Sequence, residues 1–207
     1  MPDHLIAFTI AATLLTLTPG LDTALILRTT ASEGARRAMM AGLGIALGCF
    51  AWGIVVAIGL GALLAASRLA YDMLRWIGAA YLLYLGIKLI RSPQREFAVS
   101  APDQPSTSGA QWLARGFLTN ILNPKVGVFY VSFLPQFIAS DANVAVTTIL
   151  LTAIHALLGI AWFASLILAT RPIARLLRRG AVVTWLDRVT GGVFVAFGIR
   201  LAAAGSR

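Results

Sequence analysis

The stretch TLTPGLDTAL, residues 16–25, places a proline, a glycine and a carboxylate close together inside a long apolar segment. Pro19 has no backbone N–H, and its ring clashes with the carbonyl group one turn earlier, so it kinks or interrupts a helix. Gly20 leaves helical geometry at little steric cost. We therefore predict that the first apolar helix is interrupted here, with Asp22 lying just after the interruption.

The rest of the chain is similarly apolar. Of its 207 residues 58% are hydrophobic and 12% are charged, and the mean hydropathy is +0.83, whereas ordinary soluble domains carry about 25% charged residues. Several apolar runs reach the roughly 18 residues that indicate a membrane-spanning helix. Because lipid obliges each segment to satisfy its own backbone hydrogen bonds, the composition predicts an all-α, polytopic membrane protein.

Six membrane-spanning helices can be drawn, and a five-span chain with a re-entrant first or last segment is the main alternative. The first apolar run follows no basic region, so we interpret it as a retained span rather than a signal peptide. Residues 91–111, rich in proline, serine and glutamine, are predicted to form a mobile cytoplasmic loop. The six spans cover about residues 5–27, 38–66, 71–90, 112–138, 143–169 and 182–203.

Three pairs of spans share short motifs, and the pairs follow one another in the same order. The first and fourth spans share a central proline, Pro19 and Pro124, and the second and fifth share Ala-Trp. The third and sixth share a leucine at the start and Gly-Ile-basic-Leu near the end. These matches predict two three-helix halves, residues 1–90 and 112–207. An odd number of spans turns the second half upside down, which makes an inverted repeat of the kind found in secondary transporters.

The distribution of lysine and arginine predicts the orientation in the membrane. Basic residues favour cytoplasmic loops, and the loops after the second and fourth spans offer only Arg68 and Arg75. Both chain ends are therefore expected to face outward. The net charge of +9 follows from this arrangement rather than from a nucleic-acid-binding face. The loops after the first, third and fifth spans contain or border Arg28, Arg36, Arg37, Lys88, Arg91, Arg95, Arg115, Arg171, Arg175, Arg178 and Arg179.

A second interruption is expected in TNILNPKVG, residues 119–127, where Pro124 precedes Lys125. Interrupted helices at matching positions of two halves indicate a transporter's binding site near the middle of the membrane. The N-terminal end of a half-helix attracts a substrate's carboxylate, and free carbonyl groups attract its ammonium. The alternative is that each proline only kinks its helix for packing.

The candidate site residues flank these interruptions. Ionisable groups inside a span are functional by default, so Asp22 and Lys125 are predicted to pair or to face one cavity. The structural alternatives are that Asp22 caps the second half-helix and that Lys125 extends to the membrane interface or closes a structural ion pair. Asn120 and Asn123 offer amide donors and acceptors, although Asn123 could serve only as a cap, and Thr18 adjoins the first interruption.

Other polar and aromatic residues are assigned structural roles. His155 is expected to be neutral and bonded to a neighbouring carbonyl, with proton relay as the less favoured alternative. Gly44 and Gly48 have the spacing of close helix contacts. Trp112 and Trp185 are expected at the membrane interfaces, and the basic run TRPIARLLRRG, residues 170–180, is expected to anchor the chain on anionic lipid.

Four motifs of the sequence resemble the lysine/threonine exporter family, of the LysE/RhtB type. The motifs are TPGLD, GARRAMMAGLGIALG, YLLYLGIKLI and GFLTNILNPKVGVFY, and the resemblance covers essentially the whole chain. It implies export of an amino acid or derivative from a bacterial cytoplasm across the inner membrane, coupled to ion or proton movement. Family members often have proline after Thr-Pro-Gly, where this chain has Leu21.

The sequence as a whole therefore predicts a secondary exporter that works by proton antiport, with Asp22, the only carboxylate placed well inside a span, as the coupling group. No metal-ligand cluster, nucleotide fingerprint or nucleophile motif occurs in the sequence, so we expect no metal, no cofactor and no enzyme activity. The expected partners are an amino acid, protons and lipid, and a homo-oligomer is compatible with the sequence. The alternative is a cation exporter or channel-like protein of the wider superfamily, which would need several converging carboxylates, cysteines or methionines.

Overall fold

The computed structural model of the chain describes residues 2–66, 68–93, 108–139, 141–169 and 180–203. All regular structure in these ranges is helical, which confirms the predicted all-α fold. A π-helical turn, Phe129–Phe133, and a 3-10 turn, Leu134–Phe137, follow the sixth α-helix. The α-helices, in chain order, are α1 (Pro2–Leu17), α2 (Leu21–Glu33), α3 (Ala35–Ala66), α4 (Arg68–Arg91), α5 (Gly109–Ile121), α6 (Pro124–Val128), α7 (Val144–Leu168) and α8 (Gly180–Ala203).

The first apolar segment is interrupted at residues 18–20, which we call the first break. The axes of α1 and α2 differ by 51° across it. The last helical bond of α1 joins Thr18 N to Leu14 O at 3.0 Å, and Pro19, which follows, has no N–H to continue the ladder. Gly20 has an extended backbone and is the N-cap of α2. The interruption predicted at Pro19 and Gly20 is therefore present.

The fourth predicted span is interrupted at residues 122–123, the second break. Pro124 is the first residue of α6, a position where its missing N–H leaves no helical bond unmade. The Asn123 side chain caps α6 by accepting a hydrogen bond from Lys125 N at 3.1 Å. Beyond α6 the chain passes through the π-helical and 3-10 turns, which the sequence analysis did not predict.

Several helices extend beyond the predicted spans, and two of these helix ends have a clear local cause. At the start of α5, Ser108 Oγ accepts from Gln111 N at 3.4 Å while Gln111 Oε1 accepts from Ser108 N at 2.9 Å. This reciprocal capping box draws residues 109–111 into the helix. Helix α2 continues to Glu33, and Gly34, with a φ of +86°, then turns the chain into α3.

The interior contains two clusters of buried apolar side chains. The first, called the aromatic cluster, lies where α1, the π-helical and 3-10 turns and α8 meet, and it includes Phe8, Phe129, Phe133, Phe137 and Phe194. The second, called the α2–α7 cluster, lies where α2, α3, α5 and α7 meet, and it includes Ile26, Ala41, Ile45, Trp112 and Phe163. Side-chain packing of this kind is a main source of helix association in lipid.

The two tryptophans expected at the membrane interfaces behave differently. Trp185 is 61% exposed on α8, and its place at a membrane interface stays a prediction. Trp112 is only 3% exposed, because it packs in the α2–α7 cluster and the Arg115 guanidinium lies over its ring at 4.7 Å. The expectation for Trp112 is therefore wrong.

Glycines bring several helices into close contact. Gly44 of α3 lies against the backbone of α5 at Leu113, and Gly48 lies against the side chain of Asn120. A side chain at either position would collide with these neighbours, which confirms the packing role predicted for the two glycines. Gly86 of α4 and Gly191 of α8 meet in the same way.

Three helices in the described part of the chain are long and apolar enough to cross a membrane, or four if the bent α1–α2 pair is one span. The three are α3 over Ala35–Gly59, α7 and α8. On α3 the outward-facing Ile54, Val55 and Ile58 are exposed apolar side chains of the kind that face lipid. Six spans and an inverted repeat stay predictions. The interior of the predicted loop and the basic run after α7 lie outside the described residues, apart from Gly180.

Candidate functional site

The two breaks meet through Lys125. Its Nζ donates a hydrogen bond of 2.8 Å to the carbonyl oxygen of Thr18. In a continuous helix that oxygen would accept from the N–H four residues later, so the first break leaves it free for another donor. Gly20 lies beside the same ammonium group. A side chain at the start of α6 thus satisfies a carbonyl group exposed at the end of α1.

Thr18 ties the first break to α8 as well as to α6. Its Oγ1 donates to Leu14 O at 2.7 Å, and its hydroxyl also shares a hydrogen bond with the hydroxyl of Thr190. Because a hydroxyl carries a single hydrogen, Thr190 is the donor in the second bond. Thr18 is 2% exposed, and the end of α1 is held by two neighbouring helices, α6 and α8.

Asp22 lies in the first turn of α2, directly after the first break. Its Oδ2 accepts a hydrogen bond from Asn120 Nδ2 at 3.1 Å. The other oxygen, Oδ1, is buried and has no hydrogen-bond partner among the described residues. The N-cap of α2 is Gly20, so the alternative that Asp22 caps this helix is wrong. One carboxylate oxygen is therefore oriented by Asn120, and the other is buried without a hydrogen bond of its own in the described structure.

Asn120 orients that carboxylate from α5. It is 1% exposed, and its Nδ2 also lies 3.6 Å from Cys49 Sγ. Its Oδ1 has no partner within the described ranges. The side chain fits between the helices because Gly48 has no Cβ at the point of contact. The sequence indicated Asn120 because its amide lies inside a predicted span. It also indicated Gly48, against which Asn120 packs, as a place of close helix contact.

Asn123 has the structural role that the sequence analysis gave as one of its alternatives. Its side chain caps α6, as described above, and it is almost completely buried. It also lines the cavity described below, so a part in binding substrate stays a prediction.

Asp22 and Lys125 do not form a salt bridge with each other in the described structure; a Glu33–Arg37 ion pair at 2.6 Å lies elsewhere, at the turn from α2 into α3. Both instead line one cavity. Of the two arrangements that the sequence allowed for these charges, the structure has the shared cavity. Lys125 does not extend to an interface, because its ammonium is engaged at the first break.

The cavity has a volume of about 50 Å³, and by this measure a water molecule needs roughly 10–15 Å³. It therefore has space for a few waters or a compact ligand. It lies between the aromatic cluster and the α2–α7 cluster, since members of both line it. The lining residues are Leu15, Thr16, Thr18, Gly20, Asp22, Thr23, Ile45, Ala46, Cys49, Asn120, Asn123, Lys125, Val126, His155, Ala156, Gly159 and Phe163.

His155 reaches this cavity from α7. Its Nδ1 lies 3.1 Å from the hydroxyl of Tyr130, and its ring packs 5.0 Å from that of Phe129. The carbonyl partner expected for His155 is therefore wrong, because the partner is a side-chain hydroxyl from the π-helical turn. No sequence signal could have identified this pair, since it depends on that irregular turn.

One buried carboxylate was missed by the sequence analysis. Asp187 of α8 is 1% exposed and lies one turn before Thr190, so Asp22 is not the only carboxylate inside a predicted span. Lys125 lies within electrostatic range of both Asp22 and Asp187. The signal was available in the sequence, because any ionisable residue inside an apolar span indicates function.

The chemistry of the cavity suits a zwitterion. In the described parts of the chain no three His, Cys, Asp or Glu side chains form a group that could hold a metal ion. An ammonium group and a carboxylate on the same small cavity are complementary to a ligand that carries one charge of each sign.

Comparison with known proteins agrees with this chemistry. The sequence pattern of the LysE type translocators matches residues 13–205. The threonine efflux protein of Escherichia coli (strain K12) is 30% identical, with 89% of this chain and 90% of that protein covered. The homoserine/homoserine lactone efflux protein of Salmonella typhimurium is 31% identical over 96% and 95% of the two chains. The leucine efflux protein of Enterobacter sp. (strain 638) is 28% identical over 95% and 93%.

No solved structure matches the chain. The family match covers most of its length, including both breaks and every residue that lines the cavity. Its relatives are named for the efflux of amino acids or their derivatives. The protein therefore belongs to the LysE family of translocators, and it is a multi-pass transporter of the inner membrane rather than an enzyme.

Proposed function

We propose that the protein is a secondary transporter that exports an amino acid or an amino-acid derivative from the cytoplasm in exchange for protons. The observation that carries this proposal is the contact between the two breaks, where Lys125 reaches the Thr18 carbonyl and shares one cavity with Asp22. The efflux of threonine, leucine and homoserine by the named relatives supports an amino acid as the cargo.

In the proposed bound state the substrate ammonium lies against Asp22 and the substrate carboxylate against Lys125. Support for the first contact comes from Oδ1 of Asp22, which is buried without a partner among the described residues while Asn120 holds the other oxygen. The first-turn N–H groups of α2 add to the attraction for the carboxylate, since a helix N-terminus carries partial positive charge. Asn123 and Thr18 complete the polar side of the cavity.

Proton coupling in this proposal depends on competition for Asp22. A substrate ammonium and a proton cannot both neutralise the same carboxylate, so a proton that binds from outside displaces the ammonium and allows the empty site to return. A proton that moves down a potential of 100 mV supplies about 2.3 kcal/mol. This energy source is sufficient for export against a moderate gradient without ATP.

We also propose that the six predicted spans form two inverted halves, residues 1–90 and 112–207, joined by the cytoplasmic loop at 91–111. A two-fold axis in the membrane plane makes each helix cross the membrane in the direction opposite to its counterpart, so counterparts that touch pack antiparallel. Helices α3 and α7, which are counterparts in the sequence repeat, pack in this way. Gly42 lies against Phe163, and further along α3 Gly53 lies against Thr152, which comes earlier in α7.

The second pair of counterparts, α4 and α8, supports the same arrangement. Gly198 lies against Ala79, and Gly86, further along α4, lies against Gly191, which comes earlier in α8. In this topology both chain ends face outward. Reporter fusions to the C-terminus, one active only inside the cell and one only outside, test the orientation. An inside-active fusion would contradict it.

The test of the function is direct. Cells that overproduce the protein are fed dipeptides, and the amino acids that accumulate in the medium are compared with those from cells carrying an empty vector. We expect faster release of at least one neutral amino acid, and slower release when the proton gradient is collapsed. Unchanged release of every amino acid together with altered metal tolerance would instead favour the cation-exporting alternative.

A further inference from the structure

We infer that the exported amino acid has an uncharged aliphatic side chain, of about the size of valine or leucine, and that α3 and α7 recognise it. The recognising surface, called the apolar wall, consists of Ile45 and Ala46 of α3 and Ala156, Gly159 and Phe163 of α7. The inference rests on the proposed function, because it concerns the substrate of the same cavity.

The first step concerns charge. Asp22 and Lys125 are the only Asp, Glu, Lys or Arg side chains that line the cavity in the described structure. The ammonium and carboxylate of an amino acid use both. A cationic or anionic side chain would then be buried without a counter-charge, which is strongly unfavourable. Charged amino acids are therefore poor substrates.

The second step concerns direction. The groups that hold the zwitterion come from α2, α5 and α6, beside the two breaks. Helices α3 and α7 contribute mainly apolar lining. A substrate whose ammonium and carboxylate face Asp22 and Lys125 directs its side chain away from them, and the apolar wall supplies most of the apolar lining.

The third step separates aliphatic from hydroxylated side chains. Two polar groups come from α3 and α7, namely Cys49 and His155. The Cys49 thiol is a weak hydrogen-bonding group, and His155 is engaged with Tyr130. Three threonines also line the cavity, namely Thr16 at the end of α1, Thr18 in the first break and Thr23 in α2, but none of them belongs to the apolar wall. The hydroxyls of Thr16 and Thr18 already donate to carbonyl groups of α1 at 2.7 Å. A substrate hydroxyl directed at the apolar wall would lose its water without gaining a good partner.

The fourth step concerns size. Ala46, Ala156 and Gly159 are small, so space is left between the helices. A Cβ built on Gly159 would lie 3.7 Å from the Phe163 ring, an ordinary contact distance. The glycine therefore leaves part of this ring uncovered, and Phe163 closes the cavity on the side of the α2–α7 cluster. A few aliphatic carbons fill this space, whereas a large aromatic side chain exceeds it.

Valine and threonine provide the sharpest test, because the two side chains have almost the same shape. Cells are loaded with dipeptides that release both amino acids, and initial export rates are compared at equal internal concentrations. An apolar pocket prefers valine over threonine by up to roughly 100-fold, so we expect valine to leave ten- to a hundredfold faster and lysine to leave no faster than with an empty vector. Equal rates, or faster export of threonine, would overturn the inference and leave the proposed function intact. Failure to export any amino acid would overturn both.

A variant tests the apolar wall itself. Gly159→Val fills the space beside Phe163, and the matched control Gly192→Val changes an exposed glycine of α8 whose added Cβ would meet no atom within 4 Å. A hydrophobic pocket discriminates by roughly ten- to a hundredfold for each methylene group. We expect Gly159→Val to reduce valine export by at least about tenfold and alanine export much less, with normal amounts of protein in the membrane. An equal reduction for valine and alanine at normal abundance would show that the apolar wall does not select the side chain. If the variant does not insert, the valine–threonine comparison with the unaltered protein decides whether the inference about the side chain holds.

Discussion

The two breaks begin from the same sequence feature, a proline in an apolar run, yet they end in different structures. At the first break a 51° bend separates two helices, the N-cap Gly20 contributes no side-chain hydrogen bond, and the Thr18 carbonyl has lost its helical partner. At the second break Asn123 caps the following helix, and Pro124 lies where no N–H is needed. The first break is open and the second is closed by its own residues.

This difference assigns a separate task to each break. The open break places the Thr18 carbonyl, the N-terminus of α2 and Asp22 beside one cavity. The closed break needs no outside partner, so its lysine is available to reach across to Thr18. A single proline-containing motif would have supplied either the free groups or the rigid support, but not both.

The largest effect is expected for Asp22→Asn, which removes the charge at the open break. The amide keeps the shape of the side chain, but it neither binds a proton at physiological pH nor attracts an ammonium group. We expect pH-driven export to be abolished, measured as amino-acid release from cells or inverted vesicles with an imposed pH gradient. Asp141→Asn, in the exposed turn before α7, is the matched control and should be unaffected.

The interpretation of Asp22 depends on folding being preserved, so membrane abundance is measured for both variants. Proton-driven export at a normal rate in Asp22→Asn would place the coupling group elsewhere. Asp187 and His155, both buried in the same region, would then be the next residues to test.

The second prediction concerns the lysine that joins the two breaks. Lys125→Ala leaves the Thr18 carbonyl without its donor, and a buried unpaired group costs about 1–3 kcal/mol. It also removes the proposed partner of the substrate carboxylate. We expect the substrate concentration for half-maximal export to rise strongly while the protein still inserts. Lys88→Ala, exposed in the last turn of α4, is the control. Unchanged half-saturation would show that Lys125 only supports the structure.

The sequence was sufficient to identify the breaks and the charged and amide residues that line the cavity, apart from Asp187 nearby, because each is a residue type that is costly in a membrane helix. Such residues are conspicuous in apolar runs, and here they are Pro19, Pro124, the charged Asp22 and Lys125, and the amide of Asn120. Their convergence was inferred only from the repeat, and the hydrogen bond between Lys125 and Thr18 now supplies the contact itself.

Other features depend on tertiary packing or on local bonds that hydrophobic patterns do not reveal. The π-helical turn that brings Tyr130 to His155 has no sequence signature comparable to a proline. The early start of α5 follows from a capping box in a segment that appeared to be loop. A tryptophan near the end of an apolar run, such as Trp112, is typical of a membrane interface, but the contacts of the α2–α7 cluster determine its position.

A third prediction compares the two prolines directly. Pro19→Ala restores an N–H and allows α1 and α2 to continue as one helix, which a proline inside a helix opposes by about 3 kcal/mol. The Thr18 carbonyl would then regain a helical partner in competition with Lys125. Pro124→Ala leaves the Asn123 cap in place. We therefore expect Pro19→Ala to reduce export more than Pro124→Ala, measured as initial rates normalised to membrane abundance. A larger effect of Pro124→Ala on the export rate would mean that transport depends more on the closed break than on the open one.

The smallest effect is expected where the open break is fastened to α8. Thr190 donates its hydroxyl hydrogen to Thr18, and a hydrogen bond of this kind contributes about 1 kcal/mol. Thr190→Val keeps the shape of the side chain and removes the bond, so the detergent-solubilised protein should unfold a few degrees lower, with export reduced only slightly. Thr148→Val is the matched control on α7, because the buried hydroxyl of Thr148 has no hydrogen-bond partner among the described residues. Replacing an unpaired buried hydroxyl with a methyl group should leave the unfolding temperature unchanged or raise it. If Thr190→Val is as harmless as Thr148→Val, the end of α1 is held by Lys125 alone, and the open break is more mobile than its attachments to α6 and α8 suggest.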